Sequence, residues 1–194
     1  MSNGEKTSRI AVFLDRDGTI IEDRGDLFHP SQVVFFRNTI PSLRQLSKCF
    51  DLFIVTNQSG VAKGVISIQD VERVNSYIIS HLAKSGVRIV ETYVCPHNRS
   101  DGCQCIKPNP YFLLKAEKDH WIDLKRSFVI GDHPHDVDFG TNAGANAIYV
   151  LTGHGMKHRE GISRDTVVAA GIREAAELIL DRMKTISKQD LEVK

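Results

Sequence analysis

The feature that most constrains the fold is a series of short, continuously apolar runs that alternate with helical patterns along the chain. A run of three to five apolar residues that ends in a turn is typical of a strand buried on both faces of a parallel sheet. Two further runs are shorter or more polar, which predicts edge strands. The predicted central strands are residues 10–14, 52–55, 128–130 and 147–151, and the predicted edge strands are residues 89–94 and 167–168.

Helical patterns fill the gaps between these runs. Ser67 has the side chain of an N-terminal cap, and Asn109 before a proline predicts a second capped helix start. Another helix is predicted near residues 40–49, and a last one begins at about Ile172 and frays from about Ser187. The alternation predicts an α/β protein with a three-layer, Rossmann-like fold and a mainly parallel sheet. The helix positions predicted to be buried are Val71, Val74, Ile78, Ile79, Leu82, Ala175, Ala176, Ile179 and Met183.

Size and composition indicate one globular domain. The chain has 194 residues, 41% hydrophobic and 25% charged, so we expect a single domain over residues 1–194, with a core at about 9–185 and flexible termini. The net charge of +1 gives no broad electrostatic reason to bind nucleic acid or an anionic membrane. The polar segment 1–8 and the lack of long apolar runs predict a cytoplasmic protein. We also expect a monomer or a small homo-oligomer.

Two carboxylates follow the first predicted strand. Asp15 and Asp17 lie two residues apart and precede Gly18, which permits a tight turn. In such a pair one carboxylate can attack phosphorus while the other transfers protons. A plain polar turn is the alternative; a calcium loop does not fit, because Thr19 stands where that pattern differs.

Polar residues also follow two other predicted central strands. In open parallel sheets, ligands bind beyond the carboxyl ends of the strands. Thr56 and Asn57 end the second strand and are candidates to contact phosphate, although both types also cap helices. Asp132 follows the strand at 128–130 and is suited to Mg²⁺, with Asp136 nearby to orient a lysine or a water. His133 and His135 are interpreted as ordinary loop histidines, with a position lining the pocket as the alternative; His154 and His158 are interpreted as loop histidines and Asp138 as a carboxylate on a helix face.

A cysteine and histidine cluster follows the strand at 89–94. Cys95 and His97 form one pair, and Cys103 and Cys105 form a second. Residues two apart in extended backbone point the same way, so each pair can present two ligands to one ion, and three thiolates with one imidazole make a closed zinc site. Chance clustering and a redox pair of Cys103 and Cys105 are the alternatives. Cys49 lies apart and is predicted to be a small buried apolar residue.

Lys107 comes directly after this cluster. Held in place by a metal loop, its ammonium group would neutralise phosphate charge. The alternative is an ordinary solvated lysine. The convergence of polar groups at several strand ends favours a phosphoryl-transfer enzyme.

At this point the chain resembles the haloacid dehalogenase superfamily. The stretch from Phe13 to Thr19 resembles its first motif, and Thr56, Lys107 and Gly131-Asp132 match the later motifs in order. Residues 56–64 and the Cys-Pro-His…Cys-x-Cys loop resemble the branch that contains heptose bisphosphate phosphatase and histidinol phosphatase. The resemblance covers roughly residues 10–180.

The resemblance implies a role for each matching residue. Asp15 would be the nucleophile and a Mg²⁺ ligand, and Asp17 the general acid and base, with its backbone carbonyl on the metal. Thr56 and Lys107 would hold the transferring phosphoryl group, and Asp132 would complete the protein's share of the Mg²⁺ ligands. The zinc loop would be structural and would shape the substrate entrance. The implied activity is hydrolysis of a small-molecule phosphomonoester through an aspartyl phosphate.

The chain departs from the branch at Ile106, where an arginine usually precedes the lysine. A second phosphate would then need another partner, such as Arg16, Lys63 or Arg99. The 41 residues between Asp15 and Thr56 leave no room for a separate cap domain, so the zinc loop and residues 22–29 are the expected walls. A sugar phosphate or bisphosphate, such as D-glycero-D-manno-heptose 1,7-bisphosphate, is the leading substrate. Histidinol phosphate, a protein or nucleic-acid-end phosphatase activity and a zinc-stabilised binding protein without activity are the alternatives.

Overall fold

The computed structural model of the protein describes residues 8–192 and contains one six-stranded sheet in the order β3-β2-β1-β4-β5-β6. All neighbouring strands are parallel. The three-layer α/β fold predicted from the sequence is confirmed. In chain order the elements are β1 (Ala11–Leu14), α1 (Thr39–Leu46), β2 (Asp51–Asn57), α2 (Ile68–Lys84), β3 (Ile89–Cys95), α3 (Tyr111–His120), β4 (Phe128–Gly131), α4 (Pro134–Asn142), β5 (Asn146–Val150), β6 (Val167–Ala169) and α5 (Ile172–Glu192).

Both faces of the sheet are covered, which explains why the strands are continuously apolar. Alternate residues of β1 belong to two separate core clusters. Val12 and Leu14 pack with residues of α1, α2 and α5, whereas Ala11 and Phe13 pack with residues of α3 and α4. Full burial of one large apolar side chain contributes about 1.5–3 kcal/mol, so this alternation fixes which face each strand residue takes.

The strand order reverses next to β1, and that reversal positions the site. The chain runs outward from β1 to β2 and β3, then returns to place β4 on the other side of β1. The chain therefore leaves β1 toward one edge of the sheet and resumes at β4 toward the other, so a crevice opens at the carboxyl ends of β1 and β4. The predicted edge positions of β3 and β6 are confirmed.

The predicted cap of α2 is confirmed in detail. The Ser67 hydroxyl accepts from the Asp70 backbone N–H, and the Asp70 carboxylate accepts from Ser67 in return. Ile79, predicted to be buried, is only half-buried, whereas Asn75 is buried on the inner face of the helix. The inner face of α5 is as predicted, with Ile179 fully buried.

Two local predictions are wrong, those for Asn109 and Cys49. Asn109 does not cap α3, which begins at Tyr111 without a side-chain cap; the Asn109 amide instead donates to the Cys103 carbonyl. Cys49 is exposed, because α1 ends at Leu46 and the following turn leaves that thiol on the surface. The backbone of α5 stays helical through Glu192, past the predicted start of fraying. The predicted N-terminal flexibility falls partly on residues 1–7, which lie outside the described residues.

Neither crossover that leaves β1 and β2 carries a folded insertion. Between β1 and α1 the helical structure is the single turn Pro30–Gln32, and the stretch between β2 and α2 is a series of turns. The expected absence of a separate cap domain is therefore confirmed for residues 8–192. In that part of the chain, no helix has the length and apolar character to cross a membrane.

Candidate active site

Asp15 extends the ladder of β1 by one residue, since its backbone N–H donates to the Ile130 carbonyl at 2.9 Å. The chain then turns at Gly18, which has a φ of 83°. A Cβ at Gly18 would overlap the Asp132 carboxylate, and so would a Cβ at Gly153 on the other side. These two glycines let the backbone close around Asp132 and hold it beside the end of β1.

Lys107 reaches the centre of this site. Its Nζ donates to Asp15 Oδ1 at 2.5 Å, to Asp136 Oδ1 at 2.6 Å and to the Val55 carbonyl at 3.1 Å. Only 4% of the residue is exposed, so the alternative of a solvated surface lysine is wrong. Burial alone would lower the pKa of Lys107, but the charges of Asp136 and Asp15 outweigh it and raise the pKa above its usual value.

The backbone of Lys107 is held as well. Its N–H donates to the side-chain oxygen of Asn57 at 3.2 Å, which ties the lysine to the end of β2. Asn57 thus carries a positioning contact that sequence reasoning did not foresee. Its side chain also lines the pocket, so contact with phosphate stays a prediction for this residue.

Three buried carboxylates converge beside the lysine. Ligand oxygens of Asp15, Asp132 and Asp136 all lie within 4.8 Å of one another. Burial, with repulsion from Asp136, raises the pKa of Asp15 to about 6, although Lys107 opposes the shift. Burial and the Asp15 charge raise the pKa of Asp132 to about 8. A divalent cation bound to such oxygens would relieve this repulsion, and the donor set fits a hard ion such as Mg²⁺.

Asp17 is held by neighbours that the sequence analysis did not assign. Its carboxylate accepts from Arg16 Nε at 2.9 Å and from Gln58 Nε2 at 2.9 Å, while Thr56 Oγ1 lies 3.4 Å away. Burial, with repulsion from Asp15, raises the pKa of Asp17 despite the Arg16 charge. Arg16 is fully buried and also donates to Asn75, so it points into the protein. It is therefore wrong as a partner for a second phosphate.

The four predicted zinc ligands lie together at the end of β3. Cys105 Sγ lies 3.1 Å from Cys95 Sγ and 3.2 Å from His97 Nδ1, and Cys103 Sγ lies 3.7 Å from both other sulfurs. Bonds of about 2.3 Å in a tetrahedron separate ligand atoms by about 3.8 Å, so this set needs little adjustment to bind zinc. All of these thiols are free, which is also the reduced form of a redox pair, so that alternative stays open.

The strand ends enclose one pocket of about 410 Å³, within the range of small-molecule sites. Its floor holds the carboxylates and Lys107, and its walls come from the zinc loop, residues 22–29 and two later segments. All six residues predicted for catalysis, phosphate binding and Mg²⁺ line it together. The lining comprises Asp15, Asp17, Asp23, Thr56, Asn57, Ser59, Arg99, Lys107, Asp132, His133, His135, Asp136 and His154.

Known proteins are similar to this chain in sequence and fold. Residues 104–175 match the family model described as HAD-hydrolase-like. A heptose-1,7-bisphosphate 7-phosphatase of Helicobacter pylori is 35% identical over 78% of this chain and 88% of its own length. The Pasteurella multocida enzyme of the same name is 34% identical over 87% of this chain and 96% of its own length. The chain belongs to the haloacid dehalogenase superfamily, in the branch of these phosphatases. It is thereby a phosphoric monoester hydrolase by family.

A solved structure of this branch has the same fold over nearly its whole length. The D,D-heptose 1.7-bisphosphate phosphatase of B. bronchiseptica, complexed with magnesium and phosphate, superposes with a TM-score of 0.83. The two chains are 26% identical, and the match covers 89% of this chain and 99% of the other. The superfamily resemblance stated from the sequence motifs is confirmed.

Three histidines line the pocket: His133 and His135, for which this position was the alternative interpretation, and His154, which sequence reasoning missed. His133 and His135 stack with ring centroids 4.3 Å apart, and His158 lies 4.8 Å from His133. The backbone N–H of His154 donates to Asp132 Oδ2 at 2.6 Å, and its ring lies 3.5 Å from Asp23. Their interpretation as ordinary loop histidines is wrong for His133, His135 and His154, which line the pocket.

One signal in the sequence could have found part of this group. His133 and His135 directly follow Gly131-Asp132 at the carboxyl end of a buried strand, where a superfamily site lies. His154 and His158 follow β5 and had no comparable signal. Burial, with the neighbouring charge of His135, lowers the pKa of His133 to about 4, so this imidazole is neutral and can both donate and accept hydrogen bonds.

Proposed function

We propose that this protein is a magnesium-dependent phosphatase that hydrolyses a sugar phosphate through a phosphorylated Asp15, with D-glycero-D-manno-heptose 1,7-bisphosphate as the substrate. The observation that carries the proposal is the buried contact of Lys107 with Asp15 and Asp136 on the floor of the pocket. A buried lysine beside a carboxylate at a strand end supplies a nucleophile together with a cation for the phosphate that it attacks.

The chain's own residues divide the reaction between them. An Asp15 oxygen forms a bond to phosphorus while the bond from phosphorus to the sugar oxygen breaks. Asp17, whose raised pKa favours the protonated form, gives its proton to the leaving sugar oxygen. Asp17 then takes a proton from water as that water attacks the phosphorus, which releases phosphate and restores the Asp15 carboxylate.

Lys107 and Thr56 would hold the phosphoryl oxygens during both steps, with Asn57 at the edge of the pocket. Asp136 would keep Lys107 in place. Mg²⁺, held by the carboxylates of Asp15 and Asp132 and the backbone carbonyl of Asp17, would supply positive charge that offsets the phosphate.

We infer a separate, structural role for zinc at Cys95, His97, Cys103 and Cys105. Three thiolates and one imidazole form a closed set with no position left for substrate. Because one residue separates Cys105 from Lys107, an ion bound there would also fix the start of the lysine's backbone.

The names of the relatives favour a heptose bisphosphate over histidinol phosphate, since those cited above are heptose bisphosphate phosphatases. A binding protein without activity is disfavoured, because every residue that the proposed reaction needs is present in the pocket. The near-neutral net charge predicts no nucleic-acid or membrane partner. A single domain over residues 1–194, a cytoplasmic location and a monomer or small homo-oligomer complete the proposal.

The test is phosphate release with added Mg²⁺ from three substrates: the heptose bisphosphate, histidinol phosphate and a phosphopeptide. We expect the bisphosphate to give the highest kcat/KM and the Asp15→Asn variant to release no phosphate from it. Faster turnover of histidinol phosphate would show that it, rather than the heptose bisphosphate, is the substrate. Equal turnover by the wild type and the variant would rule out the aspartyl-phosphate reaction.

A further inference from the structure

Arg99 is the lining cation of the pocket that has no carboxylate partner. Lys107 is bound by two aspartates on the floor. Arg99 lies in the zinc loop, is exposed, and makes no ion pair with any acidic side chain of residues 8–192. The cation of the floor therefore has acidic partners, whereas the rim presents a guanidinium without an acidic partner to the same cavity.

The position of Arg99 is set by His135. One terminal nitrogen of its guanidinium lies 2.9 Å from Nδ1 and 3.0 Å from Nε2 of the ring. An atom nearly equidistant from both ring nitrogens would collide with the carbon between them if it lay in the ring plane, so it lies over the ring face. The guanidinium nitrogen thus lies within hydrogen-bond distance of both ring nitrogens, and this contact holds Arg99 against His135.

The support continues into the wall of the pocket. The His135 ring stacks on His133 with an angle of 9° between the rings, and His133 begins α4 directly after the strand end that carries Asp132. Through this stack, the position of the Arg99 side chain is fixed relative to the rigid sheet. An arginine held in this way loses less conformational freedom when it binds an anion than an isolated surface arginine does.

We propose that Arg99, supported by His135, forms a subsite for a second anionic group on the substrate, remote from the phosphate that Asp15 attacks. The ligand class is a phosphorylated polyol that carries a further phosphate or carboxylate. The guanidinium binds that group through paired N–H donors, and the imidazole serves the hydroxyls next to it. This inference rests on the proposed phosphatase function and assigns the substrate preference to one side chain.

The experiment compares D-glycero-β-D-manno-heptose 1,7-bisphosphate with the heptose 7-phosphate, which has the same scissile phosphate but lacks the second one. Arg99→Ala should raise KM for the bisphosphate about 10- to 100-fold, the loss expected for a charged hydrogen-bonded contact, and leave its kcat nearly unchanged. KM for the 7-phosphate should stay the same. The KM of Arg99→Lys for the bisphosphate should fall between that of the wild type and that of Arg99→Ala, because a lysine keeps the charge without the fork of donors.

Lys63, also named from the sequence as a possible partner of a second phosphate, is an exposed cation near the end of β2 that does not line the pocket, so Lys63→Ala is the matched control. Lys63→Ala should leave KM and kcat unchanged for both substrates. Equal losses on both substrates in Arg99→Ala, or a loss of zinc from that variant, would assign Arg99 to the structure of the loop and overturn the proposal. A wild type with no preference for the bisphosphate would overturn it too.

Binding measurements distinguish a failure of the proposed phosphatase function from a failure of the Arg99 subsite. If the wild type releases phosphate from neither sugar, calorimetry on the Asp15→Asn variant measures the subsite without turnover. The bisphosphate should bind that variant more tightly than the 7-phosphate, and adding Arg99→Ala should remove the difference. Equal affinities before Arg99 is changed would refute the subsite independently of catalysis.

Discussion

The floor and the rim of the pocket are built in different ways. The floor consists of side chains at the ends of β1 and β4, buried and paired with one another, such as Asp15, Lys107 and Asp136. The rim consists of stacked imidazoles and an exposed arginine on connecting segments. Groups fixed by a sheet cannot shift without disturbing the core, whereas rim groups can change with little cost. The floor therefore suits the shared chemistry of the superfamily, and the rim suits the choice of substrate.

The largest effect should come from Asp15→Asn on the floor. An amide is a poor nucleophile toward phosphorus, so we expect kcat to fall by about 10³-fold or more on every substrate, large or small. Phosphate release from the heptose bisphosphate and from p-nitrophenyl phosphate measures this, with circular dichroism to verify folding. If the variant kept several per cent of the activity on p-nitrophenyl phosphate, Asp15 would not be the nucleophile.

Removal of Mg²⁺ should be nearly as severe. Burial, together with repulsion among the carboxylates of Asp15, Asp132 and Asp136, raises the pKa of Asp15 to about 6 and that of Asp132 to about 8, and a bound cation would offset both effects. Activity should disappear after EDTA treatment and return with Mg²⁺, whereas Zn²⁺ should not restore it. Full activity in EDTA would contradict the assignment of Asp132 as a ligand.

Asp136→Asn tests whether the floor is held by its ion pairs. The change leaves Lys107 with one carboxylate partner, and breaking a buried pair costs about 3 kcal/mol of unfolding free energy. Asp138→Asn is the control, because Asp138 is an exposed carboxylate on the same helix and should change stability by less than about 0.5 kcal/mol. Urea titrations measure the free energy of unfolding of the two variants. Equal values would mean that the Lys107–Asp136 pair makes no net contribution to stability.

Cys103→Ser should have the smallest effect on the chemical step. Zinc content should fall from close to one ion per chain to near zero, and kcat/KM should drop about tenfold through loosening of the loop that carries Arg99 and precedes Lys107. Cys49→Ser is the control, since this exposed thiol lies outside the cluster. A zinc-free Cys103→Ser protein with normal kcat/KM would mean that the cluster only stabilises the fold. The sheet would then position Lys107 without help from the loop.

The sequence predicts the floor well and the rim poorly, for a physical reason. A strand buried on both faces must be apolar throughout, so its end is visible in the sequence, and polar residues there point to a site. The direction of Arg16 depends on Asn75, 59 positions away, so it was not predictable from neighbours. The stack of His133 on His135 and the surface position of Cys49 depend in the same way on tertiary packing.

The two glycines around Asp132 limit how this chain can diverge. At most glycines with a positive φ, including Gly64 and Gly86, nothing lies within 4 Å of where a Cβ would stand, so only the backbone conformation opposes substitution. At Gly18 and Gly153 even a methyl group would displace the Asp132 carboxylate. A saturation mutagenesis library selected for activity should therefore accept no other residue at positions 18 and 153, although neither glycine has a functional group of its own.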